Sequence, residues 1–225
     1  MIIAIDGPSG AGKSSVSRAV ASRLGFSCLD TGAMYRSIAW KALQEGVDLS
    51  DDEALGRIAC TCKISFGHEP GDPAPRYVYV DGEDVTTLIR TAQIDQSVSR
   101  VSSVPQVRKA LVAQQQRIGS EGNYVVDGRD IGTVVFPEAE LKIFMTASPE
   151  VRAKRRVGQN KRRGVSNLNY EEVLADIIAR DEQDANRAES PLRAAEDAVL
   201  VDTSDITFDQ SVERVCDLAR QRGMA

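Results

Sequence analysis

A glycine-rich loop near the N-terminus carries the most specific chemical signal in this sequence. Residues 7–14 read G-P-S-G-A-G-K-S and have the G-x4-G-K-S spacing of a phosphate-binding P-loop. An apolar run at 2–5 precedes the loop, and apolar residues at helical spacing follow it to position 24. A loop between a strand and a helix turns its backbone N–H groups toward phosphates. Since a chance glycine-rich turn would lack both flanking elements, the segment predicts a nucleoside triphosphate site.

Individual side chains of this loop have distinct expected tasks. Lys13 is expected to reach the β- and γ-phosphates, and the Ser14 hydroxyl to ligate Mg²⁺. Asp127 ends a second apolar strand, 124–127, which is the pattern of a carboxylate that acts on Mg²⁺ through water. The full set of ATP-binding candidates is Gly7, Pro8, Ser9, Gly10, Ala11, Gly12, Lys13, Ser14 and Ser15.

Composition narrows the chemistry that the chain can perform. The 225 residues carry 28 basic and 33 acidic side chains, so the net charge of −5 argues against a general nucleic-acid surface. No segment approaches the length of a membrane span and no signal peptide precedes the first strand, so we expect a cytoplasmic protein. The four cysteines lack zinc or disulfide spacing, and the single histidine, His68, lies in a Gly/Pro-rich stretch. The chemistry must therefore depend on phosphates, Mg²⁺, arginines and carboxylates.

Several charged groups fall where a parallel sheet would place its ligand crevice. Thr31 and Arg36 follow the strand 26–29, and Arg129 and Asp130 follow the strand that ends at Asp127. A structural ion pair at 127–132 and a solvated arginine at 36 remain alternatives. The intervening segments 63–66, 77–80 and 83–85 predict a small antiparallel sheet with a hairpin turn at 81–82.

Two later helices also carry charge in informative places. The helix that opens at 148–150 contains the unbalanced basic residues Arg152, Lys154, Arg155, Arg156, Lys161, Arg162 and Arg163. A lid that closes over transferring phosphates would need such a run, although a solvated helix face is the alternative. In the helix 170–187, Arg180, Asp184 and Arg187 share the side that carries Val173 and Ile177. That side changes from apolar to charged, as in a helix that runs from the core into a cleft, or one with a solvated end.

The classes of P-loop protein can be separated from these residues. A GTPase would need an N-K-x-D motif, and residues 160–163 lack its acid. Many arginines at expected cleft positions suit the binding of phosphates. Without a histidine base, the acceptor should already be a good nucleophile, as a phosphate monoester is. The residues therefore favour phosphoryl transfer between two nucleotides by positioning and electrostatics.

Four motifs, taken in order, resemble bacterial cytidylate kinase over essentially the whole chain. They are the P-loop, D-T-G-A-M-Y-R at 30–36, D-G-R-D-I-G-T-V-V-F-P at 127–137 and R-D-x-x-D-x-N-R at 180–187. The resemblance implies an α/β P-loop nucleoside monophosphate kinase fold with a parallel core sheet flanked by helices. It also implies an antiparallel-sheet acceptor insertion and a helical lid. We divide the single domain, 1–225, into a core (1–32, 104–150 and 188–225), an insertion (33–103) and a lid region (151–169) leading into the helix 170–187.

The same resemblance implies a reaction and its residues. ATP and CMP or dCMP would give ADP and CDP or dCDP with Mg²⁺, in pyrimidine nucleotide metabolism, in a monomer. The implied CMP-binding residues are Thr31, Arg36, Ser99, Arg108, Asp127, Arg129, Asp130, Arg180, Asp184 and Arg187. Of these, Arg36, Arg129 and Arg187 would bind the acceptor phosphate, Ser99, Arg108 and Asp130 the cytosine, and Arg180 with Asp184 the sugar. The implied catalytic residues are Lys13, Arg129, Arg155, Arg156 and Arg187.

Two alternatives remain at this point. One keeps the kinase and changes the acceptor to UMP or a non-nucleotide, and a carboxylate at 130 argues against UMP because it would face a carbonyl. The other is a non-enzymatic nucleotide sensor, which would tolerate loss of the basic run. The sequence leaves open which of Arg152, Arg155 and Arg156 touches the γ-phosphate, and it gives only a guess, 202–205, for the adenine site.

Overall fold

The computed structural model of the protein describes residues 1–69, 71–72, 74–163 and 168–224. Its strands, in chain order, are β1 (Ile2–Asp6), β2 (Ser27–Asp30), β3 (Ile64–Gly67), β4 (Tyr77–Val80), β5 (Glu83–Asp84), β6 (Tyr124–Gly128), β7 (Leu141–Thr146) and β8 (Val199–Asp202). Its α-helices are α1 (Lys13–Leu24), α2 (Thr31–Gln44), α3 (Asp52–Thr61), α4 (Ala92–Ser102), α5 (Pro105–Gly119), α6 (Pro149–Arg163), α7 (Tyr170–Asn186) and α8 (Phe208–Gln221). A 3-10 helix spans Leu88–Arg90, and a π-helical turn spans Ile131–Val135.

The core is a five-stranded parallel sheet in the order β2-β6-β1-β7-β8. The apolar run of β1 forms a central strand because parallel strands are buried on both faces. In its register Ile5 lies opposite Asp127, and Asp30 at the end of β2 also lies opposite Asp127. The carboxyl ends of three neighbouring strands therefore meet at one edge, where the sequence predicts the ligand crevice.

The segment between α2 and α4 forms a second, antiparallel sheet in the order β3-β4-β5. Asp81 and Gly82 make the predicted hairpin turn, with φ of 52° and 89°. Both values lie in the left-handed region, as a tight two-residue hairpin requires. The prediction of an α/β fold with a parallel core sheet, a small antiparallel sheet and helices is confirmed.

Helix starts follow local capping chemistry. The Asp30 carboxylate accepts the Ala33 N–H at 3.0 Å, so α2 begins directly after β2. Asn169 and Glu172 form a reciprocal capping box that starts α7. These caps fix the first residue of each helix. They therefore also fix the direction in which the side chains of Arg36 in α2 and Arg180 in α7 project from the helix axis.

In the part of the chain that the structure describes, buried apolar side chains form two large clusters and one small one. The first includes Met34, Leu55, Val80 and Leu111, so the insertion 33–103 shares a continuous core with β6 and α5. The second joins α1, β7 and α8. Ala153, Val173 and Ile177 form the third cluster and pack α6 against α7 as a helical pair. The boundaries between core, insertion and lid stay predictions, and positions 164–167 of the lid region lie outside the described residues.

None of the described helices is both long and apolar enough to cross a membrane.

Candidate active site

The P-loop connects β1 to α1 and approaches the neighbouring strand closely. A Cβ atom at Gly7 would lie 1.9 Å from the Met145 carbonyl oxygen, so only glycine fits there. Gly12 has φ of 94° and caps α1 at Lys13. The first N–H groups of the helix therefore face the cavity, which is the arrangement that binds phosphates.

Lys13 and Ser14 are held by groups on two sides of the loop. The Lys13 ammonium donates to the Pro8 carbonyl at 2.8 Å, across its own loop. Burial and the nearby Arg129 charge lower the pKa of Lys13 below its usual range. The Ser14 hydroxyl donates to the Asp127 carboxylate at 2.7 Å, and so the two predicted Mg²⁺ groups do meet.

Asp127 lies at the carboxyl end of β6 in a buried site. Burial, with the Asp30 charge as a second cause, raises the pKa of Asp127 above its usual range. Its Oδ1 atom is buried and has no hydrogen-bond partner among the described residues. A buried carboxylate oxygen without a donor is a favourable position for a cation or for a water molecule held by a cation.

Asp6, the last residue of β1, organises the loop that follows β6. Its two carboxylate oxygens accept the N–H groups of Ile131 and Gly132, each at 2.7 Å. Burial outweighs these two bonds and raises the pKa of Asp6 to about 6. The contact fixes the start of the π-helical turn directly after Arg129 and Asp130. The sequence reasoning missed Asp6, although it ends a buried strand as Asp127 does.

Three predicted acceptor-site arginines, Arg129, Arg180 and Arg187, lie near Asp184 of α7. The Arg129 Nε donates to the Asp184 carboxylate at 2.7 Å, and Arg187 lies 3.8 Å from its other oxygen. Burial and the Arg129 charge lower the pKa of Arg180 to about 10. The Arg180 Nε has no hydrogen-bond partner among the described residues. Arg180 is therefore a half-buried cation with a buried, unused N–H donor, as an anion site or a polyol site requires.

Arg108 and Asp130 form an ion pair in the wall of the cavity. Both side chains are only 5% exposed. Arg108 also donates to the Ser102 carbonyl at 3.3 Å and to the Ser190 hydroxyl at 3.2 Å. Its guanidinium lies 5.5 Å from the centre of the Tyr35 ring. Residues from four separate parts of the chain, Asp130, Ser102, Ser190 and Tyr35, therefore hold the Arg108 guanidinium in place.

The three candidate lid arginines have different partners. Arg152 is buried and forms a two-pronged pair with Asp181, at 3.0 and 2.6 Å, while also donating to the Ser9 carbonyl at 3.2 Å. The Arg155 guanidinium donates to the Thr203 carbonyl at 2.6 Å, and Arg156 donates to the Asp95 carboxylate at 2.5 Å. The structure therefore leaves Arg155 and Arg156 at the cavity and commits Arg152 to joining α6, α7 and the P-loop.

One cavity of about 1200 Å³ contains most of the predicted site. The predicted residues that line it are Ser9, Gly10, Ala11, Gly12, Lys13, Ser14, Ser15, Thr31, Arg36, Arg108, Asp127, Arg129, Asp130, Arg155, Arg156, Arg180, Asp184 and Arg187. Gly7, Pro8 and Ser99 are not in its wall, and Val98 and Ser102 line it where α4 passes. Thr31 lines the cavity, but its hydroxyl proton is already donated to the Asp127 carbonyl at 2.7 Å.

Comparison with known proteins decides what kind of chain has this site. Residues 3–221 match the family model described as cytidylate kinase. The chain belongs to the cytidylate kinase family. A cytidylate kinase from Mycolicibacterium paratuberculosis is 51% identical over 224 residues, which cover 99% of this chain and 96% of that protein. A cytidylate kinase from Caldanaerobacter subterraneus subsp. tengcongensis is 48% identical, covering 97% and 94% of the two chains.

Solved structures support the fold of this cytidylate kinase family member. A shikimate kinase from Bacteroides thetaiotaomicron aligns over 98% of both chains with a TM-score of 0.50 and 13% identity, a likeness of fold alone. The family resemblance read from the four motifs is confirmed.

Two further residues of this cytidylate kinase family member, one in the cavity wall and one beside it in the chain fold, were not among the individually predicted site residues. Thr203 follows β8, and its hydroxyl lies within hydrogen-bond distance of two carbonyl oxygens, Thr146 at 3.0 Å and Ala11 at 3.1 Å. It lies within the guessed adenine segment, 202–205, and it lines the cavity with Phe208. Ser190 has φ of 50° and its carbonyl accepts from the Arg187 Nε at 2.5 Å. No sequence pattern marks a loop serine as the acceptor for an arginine of the site, so Ser190 could not be identified from the sequence.

Proposed function

We propose that this protein transfers the γ-phosphoryl group of ATP to the phosphate of CMP. The observation that carries the proposal is one cavity lined both by the P-loop and by the buried Asp130–Arg108 pair. Several guanidinium groups line the same cavity. A donor triphosphate and an acceptor monophosphate that enter from opposite ends would place their phosphates among these groups.

The donor end fits ATP with a divalent cation. Lys13 and the N–H groups that begin α1 would bind the β- and γ-phosphates. Ser14 and, through water, Asp127 would hold Mg²⁺, and the unpartnered Asp127 Oδ1 fits this use. Bound Mg²⁺ would neutralise part of the charge on the β- and γ-phosphates. Arg155, which bonds the loop after β8, would cover this end, with the adenine beside Thr203.

The acceptor phosphate would lie among Arg36, Arg129 and Arg187. Arg129 and Arg187 share the Asp184 carboxylate, which keeps two like charges close together in a half-buried site. A phosphate monoester is already anionic at neutral pH, so no general base is needed for its attack on the γ-phosphorus. These arginines and Arg156 of α6 would stabilise the charge that develops on the transferring group.

The acceptor base would be read by the Asp130–Arg108 pair. Cytosine presents an exocyclic amino group, which the Asp130 carboxylate can accept from. Uracil presents a carbonyl at the same position, which would face the carboxylate unpaired. Arg180 and Asp184 would hold the sugar, and acceptance of both CMP and dCMP is part of the proposal. A role in pyrimidine nucleotide metabolism in the cytoplasm, as a monomer without nucleic-acid partners, stays a prediction.

ADP release tests the proposal directly. Purified protein is supplied with ATP, Mg²⁺ and each of CMP, dCMP, UMP, AMP and GMP in turn, with Lys13→Met as the inactive control. We expect turnover largely confined to CMP and dCMP. Strong turnover with UMP would keep the kinase and remove Asp130 as the discriminator. If protein that binds ATP is silent with every acceptor, the kinase proposal fails and the sensor alternative returns.

A further inference from the structure

Asp95 joins the acceptor insertion to the lid through two arginines. It lies in the first turns of α4, with its side chain 23% exposed. One carboxylate oxygen pairs with Arg36 of α2 and the other accepts from Arg156 of α6 at 2.5 Å. Burial opposes ionisation of this group, but Arg36 and Arg156 together hold the pKa of Asp95 below its usual range. The carboxylate is therefore an anion bridging two cations from different parts of the fold.

The surrounding charge explains why such a bridge matters. Arg36 and Arg156 both line the cavity, and the positive charge of Arg180 is near enough to help lower the pKa of Asp95. The two guanidinium groups on Asp95 would repel each other without an anion between them. Among the described residues, Asp184 serves the same purpose for Arg129 and Arg187, which both belong to the acceptor side. Of these two carboxylates that each pair with two arginines, Asp95 is the one that contacts the lid helix α6.

We propose that Asp95 is a positioning residue, which keeps the lid arginine Arg156 beside the acceptor-phosphate arginine Arg36. Arg36 contacts Asp95 through Nη1 and Arg156 through Nη2, while Arg156 Nη1 also donates to the Gln159 side chain at 3.4 Å. Each guanidinium has five N–H groups, so each would still have donors for phosphates. The lid is thereby aligned on the acceptor site before transfer. This inference rests on the proposed function, since it assigns the two arginines to the acceptor phosphate and the transferring group.

A competing role for Asp95 predicts the opposite kinetic result. If the carboxylate merely occupied Arg36 in place of a substrate phosphate, its removal would free the arginine and lower KM for CMP without lowering kcat. If it positions Arg156, its removal lowers kcat because the group that stabilises the transition state is displaced. The kinetic parameter that falls in the variant, KM for CMP or kcat, therefore separates the two roles.

The test compares Asp95→Asn with a matched variant of another ion-paired aspartate. Asp52→Asn is the control, because Asp52 pairs with Arg100 on the exposed surface outside the cavity. We expect Asp95→Asn to lower kcat about tenfold, the scale of one charge-assisted hydrogen bond, with the ATP Kd unchanged. Asp95→Glu should recover part of the loss, and Asp52→Asn should match the wild type.

A double-mutant cycle with Arg156→Gln identifies the partner. Because both residues act through one contact, the double variant should be no slower than the slower single variant. Independent losses that multiply would overturn the proposal, and so would an unchanged kcat or a lower KM for CMP with unchanged kcat in Asp95→Asn.

Hydrogen exchange tests the same contact without any turnover. In the ligand-free protein, α6 amides beyond Arg156 should exchange faster in Asp95→Asn than in the wild type and in Asp52→Asn. Unchanged exchange would overturn the link between insertion and lid. A wild type that does not phosphorylate CMP would refute the proposed function instead, while the exchange result would still decide whether Asp95 holds the lid helix.

Discussion

Replacing Asp130 by asparagine perturbs the acceptor end of the cavity with little change of shape. The carboxylate is buried and pairs with Arg108, which is equally buried. The amide keeps one oxygen that can accept from Arg108 or from cytosine, but it removes the negative charge. It also adds an N–H group that can donate to the carbonyl of uracil. One substitution should therefore change both stability and base selection.

The expected loss of unfolding free energy and the expected loss of base preference both follow from the burial of the Asp130–Arg108 pair. Removing one partner of a buried ion pair costs about 3–5 kcal/mol of unfolding free energy. Because the amide oxygen keeps a bond to Arg108, we expect the lower end, about 3 kcal/mol. A hydrogen bond from cytosine to a charged acceptor contributes about 1.5–3 kcal/mol, which corresponds to roughly 10- to 150-fold in kcat/KM.

The assay compares kcat/KM for CMP and for UMP, together with urea unfolding. We expect the preference for CMP to fall by roughly 10- to 150-fold in Asp130→Asn. Asp217→Asn, which alters an exposed pair with Arg220, is the control and should change neither quantity. If Asp130→Asn unfolds, the charge-free double variant with Arg108→Gln replaces it. A folded variant that still selects CMP as strongly as the wild type would refute the base-reading role.

Three other predictions follow from buried or cavity-lining charges. Arg152→Met should cost about 3–5 kcal/mol of unfolding free energy in urea, and adding Asp181→Asn should cost less than the sum, while full additivity would contradict a shared pair. Changing Arg155 and Arg156 together to alanine should lower kcat at least about 100-fold with little change in the ATP Kd, and equal losses in both would count against the lid role. Asp6 has its pKa raised to about 6, so its stabilising contribution is present below pH 3.8 and is lost as pH rises through about 6. Relative to Asp6→Asn, the wild type should therefore lose up to about 3 kcal/mol of unfolding free energy between pH 4 and pH 7, and parallel pH profiles would refute this.

Features with a local physical cause could be predicted from the sequence. The P-loop follows from glycine spacing between an apolar strand and an amphipathic helix, and the hairpin at Asp81-Gly82 from residues that tolerate positive φ. The meeting of Ser14 with Asp127 was also predictable, because the carboxyl ends of parallel strands share one edge of the sheet.

Partners that come from distant parts of the chain were not predictable in the same way. The sequence gives no reason to separate Arg152, Arg155 and Arg156. They lie within little more than one turn of one helix and carry the same charge. The structure sends Arg152 to Asp181, Arg155 to Thr203 and Arg156 to an acid 61 positions earlier in the chain. Long side chains from neighbouring directions of a helix reach different partners once the packing of that helix is fixed.

The sequence by itself therefore determined the fold class, the family, the phosphate-binding loop and most of the cavity-lining residues. These depend on periodicity, on capping and on the common edge of a parallel sheet, all of which are local rules. Only the tertiary structure decided that Asp6 fixes the loop carrying Asp130, that Ser99 is not in the cavity wall and that Asp95 bridges the insertion and the lid. Such pairings depend on the distances and angles between packed elements, which composition and spacing along the chain do not specify.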